Sequence, residues 1–398
     1  MTEQTKQGSR WQKFVIFVLA PFAASLLCFW GFASVTGAHF GDKILAAHVD
    51  PFSAARSYIQ EHPIDSAGWM AFANSALLAV PGAPPPAAAT QALAIAAMLA
   101  PVDSQVLRGR ALVALLAGDI ALGLSHTANM AVLFPTESRD AFTILRSYSN
   151  HPVWPGFFQA RLASGWTAAE SFLLDSCQSG ASLDTLLVIT QTIIRHQPLA
   201  GNTVTCVGTK AIAEGRVSTA RWLWINALAT VPSPLGNVFN GDFERPLTDQ
   251  LFDWHVSAGG EYREGFAAGI RLDDSRGSRN KVLAIKFNGR PLTPPVAQQF
   301  LALTPGRYTL SYSIREIALS ALGSITWTIR CVPTQPLPVI GATQKQPLTG
   351  GWFNHSHTLV IPEGCDGQLL DLQLGNRLQL ALGLQGSVLF DDVSVIRQ

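Results

Sequence analysis

The chain has 398 residues, 48% of them hydrophobic and 14% charged, with 28 Lys and Arg against 27 Asp and Glu. So apolar a composition excludes a disordered chain, and the missing basic excess argues against nucleic acid as a partner. The length suits two or three domains of roughly 100–200 residues each, and five cysteines are too few for a small disulfide scaffold but enough for one or two bridges.

Phe14 to Val35 runs for 22 residues without a charge. A helix of that length spans about 33 Å at about 1.5 Å per residue, enough for a bilayer core of about 30 Å. Pro21 falls in its first third, and Trp11 and Trp30 stand near its ends, where amphipathic rings favour the headgroup layer. Lys6, Arg10 and Lys13 precede the run, whereas only Lys43 adds a positive charge in the 15 residues after it. The positive-inside bias then gives a cytoplasmic tail over 1–13 and a transmembrane helix over 14–35. The expected location is the inner (cytoplasmic) membrane, single-pass, with the bulk of the chain periplasmic or extracytoplasmic. A cleaved signal peptide is the rival reading. Thr36-Gly37-Ala38 offers small residues for cleavage, but the apolar run exceeds the usual core of about 7–15 residues.

From about 44 to 235 the sequence is rich in Ala and Leu at helical spacing. Pro101 and Pro135 are 34 residues apart, as are Pro198 and Pro232, and Gly118 and Gly215 fall 17 residues after the first proline of each pair. Each unit reads as helix, glycine turn, helix, proline stop. Leu112, Leu115 and Leu116 line the first helix of one unit, and Ala121, Leu122 and Leu124 open its second. Pro84-Pro85-Pro86 marks a loop, Ala87–Ala100 reads as a buried helix too short to span a bilayer, and 136–197 fits the period poorly. The 34-residue period, with Ala100-Pro101-Val102-Asp103 and Gly118-Asp119, resembles degenerate tetratricopeptide repeats, although the early Trp and Tyr of that family are mostly absent. The resemblance implies stacked helix pairs that bury one another's apolar stripes and a face that docks a protein partner. A plain helical spacer is the alternative.

Near Gly236 the pattern changes. Short alternating runs at 282–287, 308–314, 325–330, 369–374 and 388–395 are separated by clusters of Gly, Pro, Asn and Asp, which predicts an all-β sandwich over 237–398. Asn240-Gly241-Asp242-Phe243-Glu244 opens this region and Trp254 follows ten residues after Glu244. Leu303-Thr304-Pro305-Gly306-Arg307-Tyr308 comes next, and Phe390-Asp391-Asp392-Val393 closes it. In that order these motifs resemble carbohydrate-binding modules with a galactose-binding-like jelly roll.

That resemblance places Trp254 and Phe390 in the core. It implies a structural calcium held by acids of the first and last strands, here Glu244 and Asp391 with Asp242 and Asp392 beside them; solvated edge charges are the alternative. Sugar binding calls for aromatics that stack on pyranose faces and polar groups that meet the hydroxyls. The candidates are Trp327, Tyr312, Trp352 and Phe353 with Gln299, Arg330 and Gln368, and core packing is the alternative for each aromatic.

Cys331 and Cys365 fall in or beside strands 34 residues apart, where an extracytoplasmic bridge would close a long loop. Cys177 and Cys206 lie in neighbouring helical segments and read equally as a bridge or as two buried thiols. No Gly-x-Ser-x-Gly elbow, phosphate-binding glycine loop or Cys-x-x-Cys pair occurs. His355 and His357 alone are weak evidence for a metal and read as a loop beside Trp352, and Asp273-Asp274 reads as a polar turn.

The whole chain thus reads as multidomain α + β: one N-terminal transmembrane helix, an α-helical tetratricopeptide-like region and a C-terminal all-β jelly-roll sandwich. The expected function is that of a non-enzymatic, membrane-anchored accessory protein. It would couple an envelope protein partner, through its repeats, to a polysaccharide, through its sandwich, in surface polysaccharide synthesis or export. A pure assembly scaffold and a divergent glycan hydrolase or lyase are the alternatives.

Overall fold

The computed structural model describes residues 50–78, 84–228, 235–248, 250–257, 266–276, 280–291, 296–318, 325–332, 339–342, 351–374 and 384–398. Among them eleven α-helices precede ten β-strands. The chain divides into two compact units, Met1–Ser176 and Cys177–Gln398. The expected helical domain, 44–235, is thereby divided: its last helices share a unit with the strands instead of ending at a border near 236.

The membrane expectation is corrected. Among the described residues no helix is long and apolar enough to cross a membrane. The longest, Ile120–Leu133, has 14 residues and reaches about 21 Å, short of a bilayer core of about 30 Å. The described fold is therefore helices followed by a β-sandwich, with no spanning helix to support a single-pass inner-membrane placement. The expected tail, 1–13, and span, 14–35, lie outside the described residues.

The first unit carries α1 (Pro51–Glu61), α2 (Ser66–Leu78), α3 (Ala87–Leu99), α4 (Ser104–Leu116), α5 (Ile120–Leu133), α6 (Ser138–Ser147) and α7 (Trp154–Ala163). Aspartates start three of these helices: Asp50, Asp103 and Asp119 each accept from a backbone N–H of the first turn. Gly118 stands at φ +82° between α4 and α5, the turn its position predicts. Small side chains let α2, α3 and α4 approach, with Ala73, Ala92, Ala96 and Val106 in one cluster. Farther along, Trp154, Phe158, Trp166 and Phe172 pack ring to ring at 5.2 to 6.1 Å. Polar ties join positions about one period apart. Arg108 donates to Asp140 at 2.9 Å, Arg161 donates to Asn129, and Trp166 Nε1 donates to the Ala128 carbonyl at 3.2 Å.

The helix α8 (Ala169–Gln178) is followed by α9 (Leu183–Ile194), α10 (Gly201–Ala213) and α11 (Val217–Ala227). α4, α6, α8 and α10 open at 104, 138, 169 and 201, spacings of 34, 31 and 32 residues. The stretch read as off the period, 136–197, thus holds helices at nearly the same interval. Its turns, at Gly165 and Gly180, change length and lack the proline stops that made the other units visible. Cys177 and Cys206 form a disulfide, and Arg216 donates to Asp184 at 2.7 Å.

The strands are β1 (His255–Val256), β2 (Phe266–Asp273), β3 (Asn280–Asn288), β4 (Ala297–Leu301), β5 (Gly306–Ile317), β6 (Ile325–Val332), β7 (Val339–Ala342), β8 (Trp352–Ile361), β9 (Gly367–Leu374) and β10 (Gln385–Arg397). They form two five-stranded antiparallel sheets, β1-β4-β9-β6-β7 and β2-β3-β10-β5-β8. Inward residues of both sheets share one core: Trp254, Trp327, Ile329, Leu370 and Leu372 meet Phe266, Leu283, Leu310, Ile314, Val388 and Phe390. Every strand run expected from alternation lies within β3, β5, β6, β9 or β10. Trp254 and Phe390 are buried as predicted, and Cys331 is bridged to Cys365. The histidine pair lies on the strand β8, not in a loop, because its alternate residues lead into the buried Leu359 and Ile361.

Within the second unit α10 and α11 lie against the sandwich. Trp224 meets the rings of Phe239 at 4.9 Å and Phe252 at 5.7 Å. A Cβ on Gly208 would stand 2.1 Å from the Leu251 Cδ1, so a larger residue there would displace that side chain.

Candidate functional site

Strand parity decides which predicted sugar contacts can reach a ligand. Tyr312 follows Tyr308 and Leu310 into the core, and Trp327 follows the same rule with Ile329 and Cys331. Trp327 is 1% exposed and packs against Trp254 at 5.5 Å and Phe390 at 5.3 Å. The two glutamines are internal ties. Gln299 accepts from the Phe239 N–H at 3.1 Å and donates to its carbonyl at 2.9 Å. Gln368, fully buried, accepts from the Leu303 N–H at 2.8 Å and donates to the Cys365 carbonyl at 2.6 Å. Trp327, Gln299 and Gln368 are thus buried inside the sandwich, whereas Tyr312, 6% exposed, also borders a cavity on the other sheet. Phe353, 36% exposed, keeps core-facing parity at the start of β8, whereas Trp352 and Arg330 point away from the core on different sheets. The seven residues do not converge.

Glu244 and Asp391, the residues read as a calcium pair, both reach the start of β3. Glu244 accepts from the Lys281 backbone N–H at 2.8 Å, and its carbonyl accepts from the Lys281 ammonium at 2.7 Å. Asp391 accepts from Asn280 at 2.9 Å and from the Asp392 N–H at 2.8 Å. Among the described residues no group of three or more His, Cys, Asp and Glu could hold a metal ion.

Two outward faces carry organised polar groups. On the sheet β1-β4-β9-β6-β7, Asp371 alternates with the core residues Leu370 and Leu372 and so points outward, yet it is only 2% exposed. Arg330 pairs with its carboxylate at 2.9 Å, Gln373 donates to it at 2.5 Å, and Thr328 donates to its other oxygen. Burial pushes the Asp371 pKa above the usual carboxylate value, against the pull of Thr328 and Arg330. Sequence reasoning named Arg330 but missed Asp371, Thr328 and Gln373. The signal was present in the alternation of Leu and polar residues along 369–374.

The other face belongs to β2-β3-β10-β5-β8. There Ser311, Ser313, Asn354, Ser356, Asp392 and Ser394, with Tyr312 and His355, line a cavity of about 350 Å³. Ser313 donates to Asn354 at 2.8 Å and lies 3.1 Å from the Asp392 carboxylate. One register row away, Arg315 stands opposite Trp352. Trp352 packs on Val282, Ala284 and Leu389, and its Nε1 donates to Asp273 and Ser275 at 3.1 Å each. Burial works against the Asp273 carboxylate, but Ser275, Trp352 and Arg315 together hold its pKa below the ordinary value.

No protein-family model and no curated protein matches this chain. Among solved structures it is similar to one described as CBM4 structure and function, at 22% identity and a TM-score of 0.31, covering 40% of this chain and 99% of that one. It is also similar to the CBM22-1 xylan-binding domain of Xyn10C from Paenibacillus barcinonensis, at 13% identity and a TM-score of 0.27, covering 39% of this chain and 91% of that one. A third is TmCBM61 in complex with beta-1,4-galactotriose, at 13% identity and a TM-score of 0.27, with 41% and 99% covered.

Proposed function

We propose that this chain is a non-catalytic glycan-binding protein that recognises sugar on the outward face of β1-β4-β9-β6-β7 and docks a protein partner through helical repeats of tetratricopeptide kind. The observation that carries the reading is the network of Arg330, Asp371, Thr328 and Gln373. Its guanidinium, carboxylate, hydroxyl and amide are locked to one another on a sheet face that turns away from the core. Asp371 and Thr328 are buried in the network and hold Arg330 and Gln373, whose half-buried groups would meet adjacent sugar hydroxyls in fixed directions. The near-constant interval of α4, α6, α8 and α10 supports the repeat reading. Handling of a surface polysaccharide is the role that this pairing of regions suits.

The test is calorimetric titration of the full chain with neutral polysaccharides and hexasaccharides, alongside an assay for released reducing ends. Binding without turnover is expected, and Arg330→Gln should weaken it about tenfold or more, the worth of hydrogen bonds to a charged group. Absence of binding by every glycan overturns the reading, as does an Arg330→Gln chain that binds like the wild type.

A further inference from the structure

We propose that α5 and α7 form a docking groove for an amphipathic helix of a protein partner, one that carries a single Asp or Glu at the centre of its apolar face. The inference rests on the protein-partner half of the proposed function and names the chemistry of that partner. Leu122, Ser125, Asn129 and Leu133 lie three or four residues apart along α5, so they share one side of the helix, with Val132 beside Leu133. Leu122, Val132 and Leu133 are exposed, and Ser125 and Asn129 are half-buried between them. Aliphatic side chains ranked along the open side of a helix form the kind of stripe on which a second amphipathic helix docks.

The cation at the middle of the stripe sets the specificity. Arg161 of α7 reaches across to α5, where its Nη2 donates to the Asn129 side-chain oxygen and to the Ser125 carbonyl at 3.4 Å. Both acceptors are neutral. Arg108 of α4 and Arg146 of α6, by contrast, each have an acid: Arg108 pairs with Asp140 at 2.9 Å, and Arg146 pairs with Asp175. Among the described residues no carboxylate pairs with Arg161, and its buried Nε has no hydrogen-bond partner. Burial lowers the pKa of this guanidinium, and no acid counteracts it. A cation withdrawn from water without an opposite charge is costly. An arriving carboxylate removes that deficit through charge-assisted hydrogen bonds.

The dimensions select a helix as the occupant. From Leu122 to Leu133 the stripe runs for about 16 Å, about three turns, with apolar contacts at both ends and the cation between them. A partner helix answers with apolar residues about one turn to either side of a single acid, the spacing of helix-in-groove anchors. A basic centre is repelled, and an amide centre leaves Arg161 without a counter-charge.

The experiment titrates the full chain with three labelled peptides of about 18 residues, long enough to hold a helix. They share leucines at the anchor positions and differ only at the centre, which is Glu, Gln or Lys. The Glu peptide should bind about fivefold or more tightly than the Gln peptide, the worth of a hydrogen bond to a charged group, and the Lys peptide should bind weakest. Arg161→Gln should level the Glu and Gln peptides. Asn129→Asp gives Arg161 a carboxylate of its own, so it should raise the melting temperature and also remove the preference for Glu. Leu133→Glu, at an exposed position, should weaken all three peptides with the fold intact. A preference for Glu that survives both Arg161→Gln and Asn129→Asp overturns the groove, as does equal binding of the three peptides by the wild type. Docking through the helices still stands in those two cases, whereas a wild-type chain that binds none of the peptides fails the partner reading as well. Self-association of the wild type that Leu133→Glu abolishes assigns the stripe to a second copy and overturns the proposal.

Discussion

His355 and His357 stack on the ring of Tyr312, with centroids 5.3 and 6.2 Å away, and lie nearly parallel to it. Burial lowers the pKa of both, and the neighbouring His355 charge lowers that of His357 further. In the unfolded chain each imidazole takes its proton near pH 6.5. Their contribution to stability is thus complete above about pH 6.5 and is lost as pH falls through the lower folded values. The Asp273 carboxylate, also held low, acts in a separate window, losing its contribution only below about pH 4. The melting temperature of the full chain should therefore drop between pH 7 and pH 5. The drop should be shallower in the double variant His355→Gln, His357→Gln. Equal slopes in the two proteins would dismiss the stacked pair as its source. Burial of Tyr312 beneath this stack was readable from the sequence, since it shares the parity of Tyr308 and Leu310. Gln299 and Gln368 were not readable, because nothing local distinguishes a glutamine that ties down a distant backbone segment from one that faces solvent.

Elements built on alternation or on Pro and Gly punctuation were legible, and elements lacking both were not. β3, β5, β6, β9 and β10 carry Val, Ile, Leu or aromatic residues at every second position, and the period-2 pattern exposes them. β8 reads Trp-Phe-Asn-His-Ser-His before its apolar end, so polar residues occupy both of its faces and hide the strand. The irregularity in β10 escaped for a different reason: an extra residue in one strand shows only against the register of its neighbours. Both disulfides were readable as spacings, but spacing could not say which pairs meet. The bridge between Cys331 and Cys365 ties β6 to the turn before β9, and both half-cystines are buried in the sandwich core. Closing a loop of 34 residues should stabilise by roughly 3–4 kcal/mol. Replacing both cysteines with alanine should lower the urea midpoint accordingly without changing the far-ultraviolet circular dichroism of the folded state. An unchanged midpoint would mean that the bridge contributes nothing to the fold.

At the scale of the molecule, the change from helical to strand pattern near 236 is a change of secondary structure and not a border between compact bodies. The second unit begins at Cys177, and within it α11 packs Trp224 against Phe239 and Phe252. Composition could not reveal this, because a helix that packs on a sheet carries the same apolar stripe as one that packs on another helix. Trp224 is the residue on which the argument turns. It is 1% exposed, wedged between Phe239 and Phe252, while Arg221 of the same helix donates to the Gly236 carbonyl at 3.1 Å. Emptying such a site costs about 3–5 kcal/mol. Trp224→Ala in the full chain should therefore reduce hydrogen-exchange protection at Phe239 and in β4, although the substitution lies in a helix. A fragment of 237–398 should bind hydrophobic dyes and unfold at a lower urea midpoint than a fragment of 169–398, because it leaves Phe239, Phe252 and Leu251 without their helical cover. If the shorter fragment matches the longer one in midpoint and dye binding, the helices are only neighbours of the sandwich and the unit beginning at Cys177 is not a folding unit.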